Sequence, residues 1–303
     1  MLSSIYKKLI CLCCLIFVAI FYMIGCHNLK DTMVSSSSQD MESSQNSSKT
    51  TNSLTAESIN SSNAVSSEMP LMVNDILGVS PKIQGDKWDN MQKMRNDAKT
   101  KATQHPQTVY LNDQPKSNKV YLTFDDGPDT KITPKVIQVL DQYKVKGNFF
   151  FLGSEIAKNP NTVKLANESG HYIGVHGYHH VHLPKLTKQE ILDQFIKTQN
   201  QITELTGQQP NCIRPPYGDI DENVIDVYQE NKVKIIIWSI DTLDWSLKEP
   251  TAIAKNVTDN LRAGDIILMH SSSGQQSTVD ALPTIIEAIQ AKGYKIDTLN
   301  HLE

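Results

Sequence analysis

Two aspartates stand side by side where an apolar run ends, in VYLTFDDGP (residues 120–128). Val120, Tyr121, Leu122 and Phe124 spell a short strand that Gly127-Pro128 stops. Like charges held together raise each other's pKa, and burying either one unpaired costs several kcal/mol. Asp125 and Asp126 therefore fit either a solvated turn with an Asp helix cap or a site that holds a cation. Further along, VHGYHH (175–180) sets His176 and His180 four residues apart. On a helical turn or a tight loop this spacing lets two imidazoles face one point, although His-rich surface loops are also common. His171, His179 and His182 read as bystanders. Two His and one carboxylate make a three-ligand site with open positions, the arrangement of a catalytic zinc or a related divalent ion. A cation would stabilise one carboxylate as a ligand and leave its neighbour to act as a base, with Arg214 available to neutralise and orient that base. The same ligand set describes non-haem iron oxygenases, but there the second aspartate and Arg214 have no role.

The elements that must position these residues alternate. Apolar, β-branched or aromatic runs at 147–153, 171–177, 211–218, 233–241, 265–270 and 294–299 follow the one at 120–125. Between them lie helical patterns. Thr133-Pro134 reads as a cap followed by proline at the first helical position. Thr187 with Glu190 reads as a capping box for a helix that stops at Gly207. Strands alternating with helices imply parallel pairing through crossover helices, and continuous apolar runs imply strands covered on both faces. The expected class is α/β, a barrel or wound sheet of about seven parallel strands. Ligands bind at the carboxyl ends of the strands in either architecture. Asp125, Asp126, His176, Arg214, Asp241, Asp244 and His270 all fall at or just after strand ends, on one expected rim.

Taken in order, TFDDGP, the His-x-x-x-His spacing, RPPYG (214–218), DTLDW (241–245) and LMH (268–270) resemble the five motifs of the polysaccharide deacetylases of carbohydrate esterase family 4. The resemblance covers roughly residues 119 to 300. It implies a distorted (β/α) barrel and a hydrolase that removes N-acetyl groups from the amino sugars of a polysaccharide. It implies Asp126, His176 and His180 as ligands of a divalent metal ion, zinc first and cobalt or another divalent ion second. It implies Asp125 as general base held by Arg214, and His270 as general acid tuned by Asp244. The main-chain N–H of Tyr217 would help to hold the oxyanion, and Trp245 with Leu268 would receive the acetyl methyl. Gly177 departs from the Ser or Thr usual between the two histidines, and Ser271 from the Asp frequent after the last one. Neither departure removes a reacting group. A non-catalytic glycan-binding module is the competing class, and loss of Asp125 or His270 would have signalled it.

The whole chain sets the context. Its 303 residues carry a formal net charge of −4 and no basic cluster, which gives no support to a nucleic-acid partner. Lys7-Lys8 precede seventeen uncharged residues, Leu9 to Gly25, the pattern of an export signal or membrane anchor at the lower edge of bilayer-spanning length. Gly25-Cys26 resembles the end of a lipobox, so residues 1–28 read as a lipoprotein signal or an uncleaved anchor. Four of the five cysteines lie in this segment, and Cys212 alone has no intrachain partner downstream. Residues 29–70, rich in Ser, Asn and Thr, read as a disordered tether. Residues 71–118 read as a partly helical linker without a functional assignment, and 119–303 as the catalytic domain. The expectation is a monomer on the outer side of the cell membrane. Peptidoglycan is its first-choice substrate, with chitin oligomers, poly-N-acetylglucosamine and acetylxylan as alternatives.

Overall fold

A computed structural model describes residues 72–302; the expected signal (1–28) and tether (29–70) lie outside the described residues. The strands are β1 (Val109–Tyr110), β2 (Lys119–Asp125), β3 (Asn148–Phe151), β4 (Tyr172–Val175), β5 (Cys212–Ile213), β6 (Lys234–Ile236), β7 (Ile240–Asp241), β8 (Ile266–His270) and β9 (Lys295–Ile296). The helices are α1 (Asp86–Gln104), α2 (Ile132–Gln142), α3 (Gly153–Ile156), α4 (Pro160–Glu168), α5 (Lys188–Thr206), α6 (Glu222–Glu230), α7 (Pro250–Thr258) and α8 (Gln276–Ala291). All strand pairs are parallel, in the order β1-β6-β5-β4-β3-β2-β8-β7, with β9 added beside the start of β2. Val120, Tyr121, Leu122 and Phe124 are fully buried, and Phe124 stacks on Phe149 with ring centroids 5.1 Å apart, as a strand covered on both faces requires.

The sheet curls into a distorted barrel, and the chain itself shows why. β6 and β7 stand near opposite ends of the strand order, yet only residues 237–239 separate them. Four Cα steps span at most about 14 Å, so the two ends of the sheet must come round to face each other. The apolar run 233–241, expected as one strand, is therefore two. The Ile237 N–H donates to the carbonyl of Tyr110, while the Ser239 N–H donates to that of Ile266. Between these partners the carbonyls of Ile236 and Ile237 accept from the Arg214 guanidinium. That split and the unanticipated β1 raise the strand number among the described residues from about seven to nine.

The expected domain boundary at Lys119 moves toward the N-terminus. Residues 72–118 contribute β1 at one end of the strand order and a parallel bridge, Leu77 to Ile240, at the other. Ile76, Ile83, Ala98 and Ala102 enter the main core. α1 packs because Arg95, Ala98 and Ala102 fall on one helical face. The start of α2 also differs from expectation: Asp129, not Thr133, caps it. The Asp129 carboxylate accepts the N–H groups of Lys131, Ile132 and Thr133, and the Thr133 hydroxyl instead donates to the carbonyl of Ser271. At α5 the capping box of Thr187 and Glu190 is present, and Gly207 ends the helix in the left-handed conformation at φ 73°.

Candidate active site

The rim is built first by β2 and β8. Their register pairs Asp125 with His270, so these two residues, distant in sequence, stand on adjacent strand ends. Asp125 still has strand conformation, whereas Asp126 lies in the left-handed region at φ 67°, which Asp tolerates better than most residues. This change of backbone gives the neighbouring carboxylates different main partners, although His176 Nε2, 3.3 Å from Asp126 Oδ1, also lies 3.9 Å from Asp125 Oδ2. Asp125 Oδ1 accepts from Arg214 Nη1 at 2.9 Å. The guanidinium is fully buried and also donates to Thr123 Oγ1 and to two main-chain carbonyls, while its plane lies 4.4 Å over the Phe150 ring. Burial lowers the Arg214 pKa and the Asp125 carboxylate raises it; the net direction is downward.

Asp126 faces the two imidazoles. Its Oδ1 lies 3.3 Å from His176 Nε2 and 3.4 Å from His180 Nε2. That oxygen is buried and takes no hydrogen bond. His176 Nδ1 sits 2.7 Å from the carbonyl of Arg214, which can only accept, so Nδ1 carries the proton and Nε2 presents a lone pair to the cluster. One ligand atom from each of Asp126, His176 and His180 lies within 4.8 Å of the others. An orphaned carboxylate oxygen facing two imidazole nitrogens fits a divalent cation, and the donor set of two nitrogens and one oxygen suits zinc or a similar ion.

The loop that carries both histidines is steadied from α5. Gln194 Oε1 accepts the N–H groups of Tyr178 and His179, and Thr198 donates to the carbonyl of Gly177. Gly177 has φ 82°, a conformation that side-chain-bearing residues adopt at a cost. The support that Ser or Thr at 177 would supply thus comes from another element. Ser271 is also structural: its N–H donates to the carbonyl of Asp125.

On the far side of β2, Asp244 holds His270. Its Oδ1 accepts from His270 Nδ1 at 2.7 Å, and its Oδ2 accepts the His270 main-chain N–H and the Thr278 hydroxyl. Burial alone would lower the His270 pKa, but the Asp244 carboxylate, with smaller contributions from Asp126 and Asp125, pushes it up to about 10. Asp241 plays a different part from Asp244. It is buried, accepts the Leu243 N–H and pairs with Arg95 of α1 at 3.6 Å, which shapes the turn that presents Asp244.

A cleft of about 720 Å³ opens over these groups, lined by Asp125, Asp126, His176, His180 and His270. Tyr217, Trp245 and Leu268 also line it; Tyr217 has φ 63° and its ring stacks on His182, which stays outside the ligand cluster. His182 in turn bonds Asp219. Sequence reasoning missed the wall formed by residues of 82–94, among them Met91 and Met94. The spacing of Trp88, Met91, Arg95 and Ala98 carried a helical stripe that marked this segment as packed.

Residues 112–236 match the polysaccharide deacetylase family. The chain is 44% identical over 183 residues to a peptidoglycan-N-acetylglucosamine deacetylase of Bacillus cereus, covering 60% of this chain and 66% of the relative. It is 36% identical over 200 residues to the peptidoglycan-N-acetylglucosamine deacetylase PgdA of Listeria monocytogenes, covering 65% and 42%. The chain thus spans less than two thirds of the length of either relative. A crystal structure of a peptidoglycan N-acetylglucosamine deacetylase superposes with a TM-score of 0.62 at 41% identity, covering 63% of this chain and 91% of that one.

Proposed function

The chain belongs to the polysaccharide deacetylase family, and from that premise we propose that it is a metal-dependent hydrolase that removes N-acetyl groups from the amino sugars of peptidoglycan. One observation carries the reading. The orphaned Asp126 oxygen and its two facing imidazoles stand between an Arg-bound carboxylate and a carboxylate-bound imidazole, all on one rim.

In this reading Asp126, His176 and His180 hold the metal. A bound divalent ion would polarise the acetamide carbonyl and lower the pKa of water, with zinc the ion the donor set favours and cobalt a substitute. The remaining chemistry belongs to the chain. Asp125, oriented by Arg214, takes a proton from the attacking water. The water oxygen bonds to the acetamide carbon. The main-chain N–H of Tyr217 donates to the oxygen that gains charge, a contribution of about 3–4 kcal/mol per donor in such sites. His270 Nε2, its other nitrogen held by Asp244, gives a proton to the sugar nitrogen as the carbon–nitrogen bond breaks. Acetate and a free amino sugar result. Trp245 and Leu268 offer the apolar surface for the acetyl methyl.

The chain itself carries every group named, which supports a monomer as the acting unit. The basic and apolar N-terminal sequence supports attachment on the outer face of the cell membrane, close to the wall. The test is acetate release by the metal-loaded protein from peptidoglycan, chitin oligomers, poly-N-acetylglucosamine and acetylxylan. Peptidoglycan is expected to be turned over fastest. Release from acetylxylan alone would replace N-deacetylation with ester hydrolysis, and no release from any of the four would remove the hydrolase reading.

A further inference from the structure

The wall of the cleft supplied by residues 82–94 lies ahead of the family match, which begins at residue 112. Lys87, Asn90, Met91 and Met94 follow the spacing i, i+3, i+4, i+7, so one face of α1 looks into the cleft while Arg95 and Ala98 anchor the helix in the core. Lys82 joins this wall from the loop before α1. The anionic groups of the cleft are already engaged: Asp125 with Arg214, Asp126 with the two imidazoles, Asp241 with Arg95. The two lysines are not. Among the described residues neither has a carboxylate within 4.0 Å, and Asp86 and Asp89 of the same first turn do not line the cleft. The wall therefore combines apolar methionines, suited to the face of a sugar ring, with two exposed cations at the cleft that no group of the described chain neutralises.

We propose that Lys82 and Lys87 bind carboxylates carried by the glycan next to the sugar being deacetylated, so that the cleft selects a carboxylate-bearing glycan over a neutral one. This proposal rests on the deacetylase reading above and sharpens its substrate class. The cations lie on the same wall as Met91 and Met94 but are not part of the reacting cluster, so their contribution belongs to binding and appears in KM rather than kcat. Exposed ion pairs are also screened by salt, so the preference is expected to shrink as ionic strength rises.

The test uses the metal-loaded protein on three glycans: peptidoglycan strands with free carboxylates, the same strands after their carboxylates are converted to methylamides, and neutral chitooligosaccharides. The K82Q/K87Q variant is expected to raise KM for the free-carboxylate strands roughly fivefold more than for the methylamide strands, the size that two exposed ion pairs supply. A K82R/K87R variant, which keeps both charges, is expected to restore most of the difference. An equal rise on charged and capped strands, or no rise on either, would overturn the proposal while acetate release by the unaltered protein keeps the hydrolase reading standing. Absence of acetate from all three glycans with the unaltered protein would overturn both.

Discussion

Asp125 and Asp126 are neighbours in the chain and strangers in environment: one ends a strand against a buried guanidinium, the other turns at φ 67° toward two imidazoles. Much of this was legible, because a pair of acids ending a buried strand fits a cation site as well as a solvated turn, and the sequence offered His176, His180 and Arg214 near other strand ends. The support of the histidine loop was not legible. Gln194 and Thr198 act across tertiary space, and no local pattern announces that they replace a side chain at Gly177. The division of labour between the aspartates predicts that Asp125→Asn lowers turnover by about 10²–10⁴-fold while the purified protein keeps its metal by elemental analysis. Asp126→Asn is expected to lose metal and activity together. Metal loss in Asp125→Asn would reverse the two roles. The acid makes a separate prediction. His270 is protonated below its raised pKa, so activity that needs the imidazolium falls as pH climbs through that value. Removing the Asp244 charge leaves burial, which lowers the pKa, as the chief influence. Asp244→Asn is therefore expected to move the basic limb of the pH–rate profile down by about 1–3 units. A limb that stays in place would mean that another group protonates the leaving amine.

At the scale of elements, periodicity showed the helices and the apolar runs but not where a run changes partner. The stretch 233–241 reads as one strand because its composition is uniform; it is two because its hydrogen-bond partners pass from Tyr110 to Ile266 around Arg214. Such a switch depends on which strand lies alongside, which is settled only when the sheet curls. Residues 71–118 read as a partly helical linker for a similar reason. β1 is two residues long, and the stripe by which α1 packs, Trp88, Met91, Arg95 and Ala98, is only partly buried at Trp88 and Met91 and is interrupted by a charged residue. Their contribution predicts that a chain beginning at Lys119 is less soluble and melts lower than one beginning at Met72, since it exposes the edge of β6 and the pocket for Arg95. The single change Arg95→Ala isolates one part of this effect. Arg95 and Asp241 are both buried, and removing one partner of a buried pair strands the other at a cost of about 3–5 kcal/mol. Urea denaturation of Arg95→Ala is expected to show a loss near that size, and adding Asp241→Asn is expected to recover a part of it. A loss under about 0.5 kcal/mol would mean that the pair behaves as a solvated surface contact.

For the molecule as a whole, the rim and the core are separable. The reacting groups project from strand ends, while the continuous core runs from Ile76 to Leu302 and includes Phe124, Phe149, Phe150 and Phe151 at full burial. The proposed attachment to the membrane would be separable too: Cys26, at the end of the lipobox-like run, lies outside the described residues, and if it carries a lipid, Cys26→Ser is expected to shift the protein from the membrane fraction to the soluble fraction of cells without changing turnover by the purified enzyme. The metal is expected to behave as a ligand of a formed fold rather than as its nucleus. A small zinc domain unfolds without its ion because it lacks a core; this chain has one. Chelation should therefore abolish acetate release while leaving the far-ultraviolet circular dichroism spectrum in place. Binding still stabilises the folded state by mass action, about 2.7 kcal/mol when free metal is a hundredfold above Kd. For a folded unit of this size that is a rise in Tm of roughly 5–10 °C, to be read by calorimetry with and without zinc. The rise should vanish in Asp126→Asn and persist in Asp125→Asn. A chelated protein that loses its secondary structure would instead make the ion part of the fold, and an unaltered Tm in the presence of zinc would remove Asp126, His176 and His180 as its ligands.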